Sequence, residues 1–360
     1  MIDWWRTDFT AAESEAASKA IMDKKLSTGS ISNEFEEKFA ELLNVDYAVL
    51  CPSGTMSLTM SLLATGISKD DEVIVPANTW ISTAHAPMLI GANVKLVDVY
   101  DKKNIINHKI IEKNISKKTK AIIPVHLNGK AAAMDKIFDI ADKYGLIVIE
   151  DACQALLSKK NNKYLGTQGI TGCFSLGVTK LITTGQGGVV VTNDSNIYEN
   201  LLLIRNNGME DILTPEYKMF GANFKFSDVL AAIGIVQLRK AKMHAELVRK
   251  LYTVYEKEIS DLNFLHLINV DYNRGELPLY VEVITSKREE LMQYLADKNI
   301  QTRVLPPSLN KAPQFNSNGS FNNSEYFSSN GMYLPSGPDQ NESDIDTVIN
   351  SIKEFSRIIN

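Results

Sequence analysis

Cysteine is scarce in this chain, with only Cys51, Cys153 and Cys173 among 360 residues. The number is odd and no two of them stand at a metal-ligand spacing, so neither a disulfide framework nor a structural zinc site is encoded. Long apolar runs are also missing, and no stretch approaches the length that spans a bilayer. There is no surplus of positive charge. Lys and Arg total 38 against 43 Asp and Glu, a net charge of −5, which leaves nothing to neutralise a phosphate backbone. The lysine pairs at 117–118 and 159–160 read as solvated surface. The opening residues, Met1 to Arg6, lack the basic-then-apolar order of an export signal. His85, His108, His126, His244 and His266 are scattered without ligand spacing, so no metal is expected. The expectation is a cytoplasmic protein that binds neither nucleic acid nor membrane.

What is present is an ordinary globular composition, 44% hydrophobic and 22% charged. At this length one large domain and a smaller one are expected. A helix is predicted over 10–23, then a loop at 27–32 and an amphipathic helix over 33–43, where Phe35, Phe39 and Leu42 recur at helical spacing. Short β-rich runs follow at 47–51, 72–76, 95–99, 121–125 and 146–150. Helical patterns fall between several of them, at 55–64, 82–90 and 134–143. That alternation predicts an α/β fold with an open, mostly parallel sheet and helices on both faces. Further on, a strand is expected at 187–192 and a long helix from 227 toward 259. Segments 279–284, 287–298 and 301–304 then read as a smaller α+β unit. The division falls near Ala245, giving 1–244 and 245–360. A Ser/Asn/Gly-rich loop is expected at 315–325, and a final helix at 342–355 with Asn341 as N-cap.

Four segments carry chemistry. The apolar run 145–149 ends in Glu150 and Asp151, with Gln154 just beyond. An acid at the C-terminal end of a buried strand lies where open α/β sheets bind ligands; it could serve a metal, a ribose or a protonated ring nitrogen, or simply cap the next helix. Lys180 stands between Val178 and Leu181, with Ser175 five residues before it and Gly185, Gly187 and Gly188 after it. A lysine held in a partly desolvated site is a usable amine nucleophile, and small residues let backbone approach a bulky ligand; a solvated loop lysine is the alternative. Ser53, Gly54 and Thr55 follow a strand and open a helix, which places N–H groups where a phosphate is favoured, although an ordinary N-cap would look the same. Trp80, after Pro76 and Thr79, is suited either to stacking on an aromatic ligand or to the core.

Taken together, Ser53–Thr55, the 150–154 run, Phe174 and Ser175, Thr179 and Lys180, the 184–188 run and the segment Gly221 to Phe224 resemble the DegT/DnrJ/EryC1/StrS family of sugar aminotransferases, in this order and over nearly the whole chain. The resemblance implies the three-layer fold type I of pyridoxal-phosphate (PLP) transferases, with a smaller C-terminal α+β domain. It implies Lys180 carrying PLP as a Schiff base, Asp151 paired with the pyridine nitrogen, Gln154 beside the ring hydroxyl and Trp80 on the ring face. Gly54, Thr55 and Ser175 would hold the phosphate. Asn223 would reach the phosphate of a neighbouring subunit, so a homodimer with shared active sites is implied. The implied reaction is amino transfer, from L-glutamate by family habit, to a nucleotide-linked keto-sugar on a route to bacterial polysaccharide or O-antigen. A cyclitol ketone as acceptor, or a non-catalytic regulator of the same fold, are the alternatives. Departures are Gln186 where the family commonly has Glu, Gly177 and Val178 near the sugar, and Lys225 where Arg often follows.

Overall fold

The computed structural model describes residues 1–211, 213–315 and 319–359. Helix α1 (Ala11–Met22) begins at an N-cap, Thr10, and α2 (Ser30–Leu43) follows. The large sheet and its helices then run β1 (Tyr47–Cys51), α3 (Gly54–Ala64), β2 (Glu72–Pro76), α4 (Ser82–Leu89), β3 (Asn93–Val97), β4 (Thr119–Ile122), α5 (Met134–Tyr144) and β5 (Ile147–Asp151). A short hairpin of β6 (Lys159–Lys160) and β7 (Lys163–Tyr164) precedes β8 (Thr171–Ser175), β9 (Gly188–Thr192), α6 (Ser195–Arg205) and the long α7 (Asp228–Ile259). The remainder is β10 (His266–Leu267), β11 (Val281–Ile284), α8 (Arg288–Asp297), β12 (Arg303–Val304), α9 (Asn322–Asn330), β13 (Gly331–Leu334) and α10 (Glu342–Ile359). No helix among the described residues is long and apolar enough to cross a membrane.

Seven strands form the main sheet in the order β1-β9-β8-β5-β4-β2-β3. The β5–β8, β4–β5, β2–β4 and β2–β3 pairs are parallel, whereas β9 is antiparallel to both neighbours. Two antiparallel steps restore the direction, so β1 runs the same way as β8. The C-terminal ends of β1, β2, β5 and β8 therefore meet at one edge. The expected α/β sheet is the one observed. The apolar strands Val73–Val75, Ile147–Ile149 and Val189–Val191 read as continuous hydrophobic runs because both faces of the sheet are covered.

Beyond α7, β10, β11, β13 and β12 make a four-stranded antiparallel sheet. Tyr252, Tyr255 and Ile259 of α7 pack there with Leu291, Leu295, Val348, Ile352 and Phe355. The first half of α7 instead packs with Phe35 and Phe39 of α2. The expected division at 244/245 thus falls inside one unbroken helix that belongs to both cores.

Several boundaries differ from the sequence reading. Helix α2 starts at Ser30, not 33, because a distant carboxylate caps it. Asp228 Oδ1 accepts from the Gly29 and Ser32 N–H groups at 2.9 Å each. Strands β3 and β4 begin two residues earlier than their apolar runs suggest. The expected loop 315–325 ends in helix α9, whose start is held by Asp98: its carboxylate accepts from Asn323 N and Ser324 N. Residues 316–318 of that loop lie outside the described residues. At the last helix the Asn341 side chain donates to the Asp344 carboxylate at 3.3 Å. The final helix runs on to Ile359, past 355, and Ile359 packs against the second core.

Candidate active site

One cavity of about 700 Å³ opens at the shared edge of β1, β2, β5 and β8, roofed by Trp4, Tyr280, Arg303 and Tyr333. Gly54, Thr55, Trp80, Asp151, Gln154, Ser175 and Lys180 all line it. These residues come from four separate strand ends, and the sheet topology brings them together.

Strand alternation separates the two acids that end β5. Glu150 turns away from the cavity: its carboxylate pairs with His126 Nε2 at 2.7 Å and accepts from the N–H groups of Gly166, Gln168 and Gly169. Burial alone would raise its pKa, but His126 and the N–H groups of Gly169 and Gly166 hold it below the usual range. Asp151 faces the cavity. Its Oδ2 accepts from Thr83 Oγ1 at 2.8 Å and its Oδ1 from Cys153 N at 3.1 Å. The acid caps no helix; its carboxylate is fixed by two donors with one side left toward the cavity.

The Ser53 turn is built for close approach. Ser53 Oγ caps α3 by accepting from Met56 N at 3.2 Å, which leaves the N–H groups of Gly54 and Thr55 as first-turn donors at the positive end of the helix. A Cβ at Gly54 would lie 2.9 Å from both Cys153 Sγ and Ser175 Cβ, so only glycine fits between the two strands. Gly188 is likewise forced, but by the Ser53 carbonyl 2.3 Å from where its Cβ would be, rather than by room for a ligand. Thr55 Oγ1 donates to Ser82 Oγ, and Ser175 Oγ accepts from Gly177 N.

Trp80 is 49% exposed at the cavity wall, with the Arg303 guanidinium 5.7 Å from its ring and 5.1 Å from Trp4. Lys180 follows Thr179, whose carbonyl accepts from Tyr280 Oη at 2.8 Å. Asn223 is not brought to this cavity. It is exposed, bridged through its main chain to Asn206, and its Oδ1 accepts from Lys225 N at 3.3 Å. Of the departing residues, Gly177, Val178 and Gln186 line the cavity. The thiol of Cys153 also lines it, and burial, then Asp151, push it well above its ordinary range, so it stays protonated.

Sequence reasoning did not single out Thr83, Asn128, Tyr280 or Arg303. Thr83 lies one helical turn past Trp80, a spacing that could have flagged it. Tyr280 and Arg303 line the cavity from segments with no local signal, and Asn128 lies behind it, bonded to Gln154.

The fold and this cavity define the class: a two-core α/β enzyme whose lysine, carboxylate and helix N-terminus share one cleft at a sheet edge. The chain belongs to the DegT/DnrJ/EryC1/StrS aminotransferase family, whose sequence profile matches residues 8–353. It is 34% identical over 354 residues to a GDP-perosamine synthase of Escherichia coli O157:H7, covering 98% of this chain and 97% of that protein. The structure of DesV from S. venezuelae superposes with a TM-score of 0.92 at 27% identity, covering 96% of this chain and 94% of the other. A GDP-4-keto-6-deoxymannose-3-dehydratase solved with a trapped PLP-glutamate geminal diamine gives a TM-score of 0.89 at 26% identity, covering 97% and 99%.

Proposed function

We propose that this aminotransferase uses pyridoxal phosphate to move an amino group from L-glutamate to a nucleotide-linked keto-sugar, and that the nucleotide is GDP. The observation that carries the reading is the convergence of the Lys180 amine, the Asp151 carboxylate and the open N-terminus of α3 on one cavity. The names of the relatives support the nucleotide and the deoxyamino-sugar product, and the glutamate adduct of the dehydratase supports the donor. The product would enter bacterial surface polysaccharide, made in the cytoplasm.

The residues fit the cofactor by their donor set. The glycine-tight turn at Gly54, with Thr55 and Ser175, offers N–H and hydroxyl donors suited to a phosphate dianion. Trp80 offers a ring face, Gln154 an amide and Asp151 a carboxylate for a protonated ring nitrogen. Lys180 would hold the cofactor covalently. When bound, the cofactor supplies an electron sink for charge left on a carbon that loses its proton.

The chain's own side chains do the rest. Asp151, kept oriented by Thr83 and the Cys153 N–H, would favour a proton on the ring nitrogen of the bound cofactor. Lys180 Nζ, with the donor amine bound, would be placed to accept the proton of the donor Cα as general base and, in the acceptor half of the reaction, to deliver one to the acceptor carbon as general acid. Trp4, Tyr280 and Tyr333 form an aromatic roof that limits water. Asn223 serves the cavity of a second copy, in a homodimer, and the chain divides into a large 1–244 unit and a 245–360 unit.

Borohydride reduction of the cofactor-loaded protein followed by peptide mapping is expected to place the label on Lys180. Lys180→Ala should lower kcat by about 10²–10⁴-fold. Glutamate should bleach the visible band of the wild type, and a GDP-keto-sugar should restore it while a cyclitol ketone does not. Label on another amine, or no response to an amino donor, would overturn the reading.

A further inference from the structure

The turn at 126–130 joins the strand edge of the site to the C-terminal unit, and Asn128 is its centre. Asn128 is fully buried with φ +53°, in the left-handed region. Three of its polar groups are committed. Its N–H donates to Gln154 Oε1 at 2.9 Å, its Oδ1 accepts from Tyr280 N at 2.7 Å, and its Nδ2 donates to Tyr280 O at 3.0 Å. Tyr280 Oη in turn donates to the carbonyl of Thr179, the residue before Lys180. The turn is itself anchored on Asp151, whose carbonyl accepts from His126 N at 2.9 Å.

We propose that Asn128 is a positioning residue for the reaction, acting in two directions. Its N–H occupies the carbonyl end of the Gln154 amide, so the NH₂ end, a donor only, is the one presented to the cavity. Its side chain clamps both main-chain groups of Tyr280 and so sets the hydroxyl that fixes the Thr179–Lys180 peptide. The left-handed φ serves this geometry: it turns the N–H toward Gln154 while the side chain reaches β11's approach, and Asn tolerates that conformation better than other residues with side chains. Asn128 touches neither cofactor nor substrate, and its effect runs through Gln154 and Lys180. The inference rests on the proposed role of Lys180.

Asn128→Gly keeps the turn and the N–H to Gln154 and removes only the Tyr280 clamp. It is expected to lower kcat about tenfold with KM for glutamate within about twofold, and to move the pH midpoint of the visible band by at least about half a unit. In protein freed of cofactor, hydrogen exchange of segment 177–182 should quicken about fivefold or more. Tyr280→Phe should act in the same direction, and the double variant should be no worse than the worse single, because both break one chain of contacts. Tyr280→Phe leaves the turn untouched and carries the test alone if Asn128→Gly does not fold. Unchanged kcat and pH midpoint in either variant, or effects that multiply in the double variant, overturn the inference. A wild-type protein that takes up no cofactor on Lys180 would instead sink the functional reading on which it rests.

Discussion

The hydroxyl of Thr83 shows how much of this site depends on single side chains outside the obvious motifs. It donates to Asp151 Oδ2 at 2.8 Å and is itself buried, so its loss would leave that carboxylate oxygen short of a partner. A hydrogen bond to a charged group is worth about 1.5–3 kcal/mol, and in the proposed reaction a misaligned Asp151 would hold the ring proton less well. Thr83→Val is therefore expected to cut kcat by about tenfold or more, whereas Thr83→Ser, which keeps the hydroxyl, should stay within about threefold. Steady-state kinetics of the two variants decide it; equal losses would mean the methyl group, not the hydroxyl, matters. Asp151 and Lys180 were legible in the sequence because each interrupts an apolar run. Lys180 could not be told from a solvated loop lysine by that pattern, since the cavity around it is made by strand ends scattered from Ser53 to Ser175. Asn128 and Tyr280 left no mark at all: they are 152 positions apart and each reads locally as a turn or strand residue.

Among the elements, α1 depends on one acid for both its start and its docking. Glu13 closes a capping box with Thr10 and also accepts from Gln237 Nε2 at 2.7 Å and from Lys240 at 2.9 Å, both on α7. Burial would raise this carboxyl, but Lys240, Thr10 and Gln237 outweigh it and hold it at about 2, below its ordinary 4.5. A group whose pKa is depressed on folding stabilises above its unfolded value and loses that contribution as pH falls through the folded one. Glu13→Gln should thus cost about 1–3 kcal/mol at pH 7. The gap between wild type and variant should shrink as pH drops from about 4.5 toward 2, a trend that denaturant melts across that range would measure. A gap constant with pH would show that packing rather than charge is at stake. Element types followed from periodicity, and α3, α4, α5 and β2 fall close to the expected bounds. Two of the errors sit where a remote carboxylate sets the end: Asp228 extends α2 backward to Ser30, and Asp98 starts α9 inside an expected loop. No local pattern encodes a cap supplied from 196 or 226 positions away.

At the scale of the whole molecule, the two cores are held together by α7 and by the seam between residues 126–131 and 276–282. Lys130 and Glu282 form an ion pair there with both side chains fully buried. Ala131 N and Lys103 Nζ meet Glu276 Oε1, and Ser158 Oγ bridges Gly129 O and Leu277 N. Sequence gave no hint of this seam, because a lysine and a glutamate 152 positions apart each read as surface charges. Glu282 keeps a second oxygen, Oε1, without a partner among the described residues, so the carboxylate has little to fall back on. Removing one member of a buried pair strands the other charge and typically costs about 3–5 kcal/mol, whereas replacing both by apolar groups can be neutral or stabilising. Lys130→Met is accordingly expected to lose about 3–5 kcal/mol, and Lys130→Met with Glu282→Leu to recover most of that loss. Because the seam also carries Asn128, the double variant should keep its stability yet lower kcat if the pair helps aim the turn at Gln154. Chemical denaturation and steady-state kinetics on the same three proteins separate the two effects. Full recovery of both stability and kcat would mean that the pair only fills the seam, and a single variant as stable as wild type would mean that water reaches it.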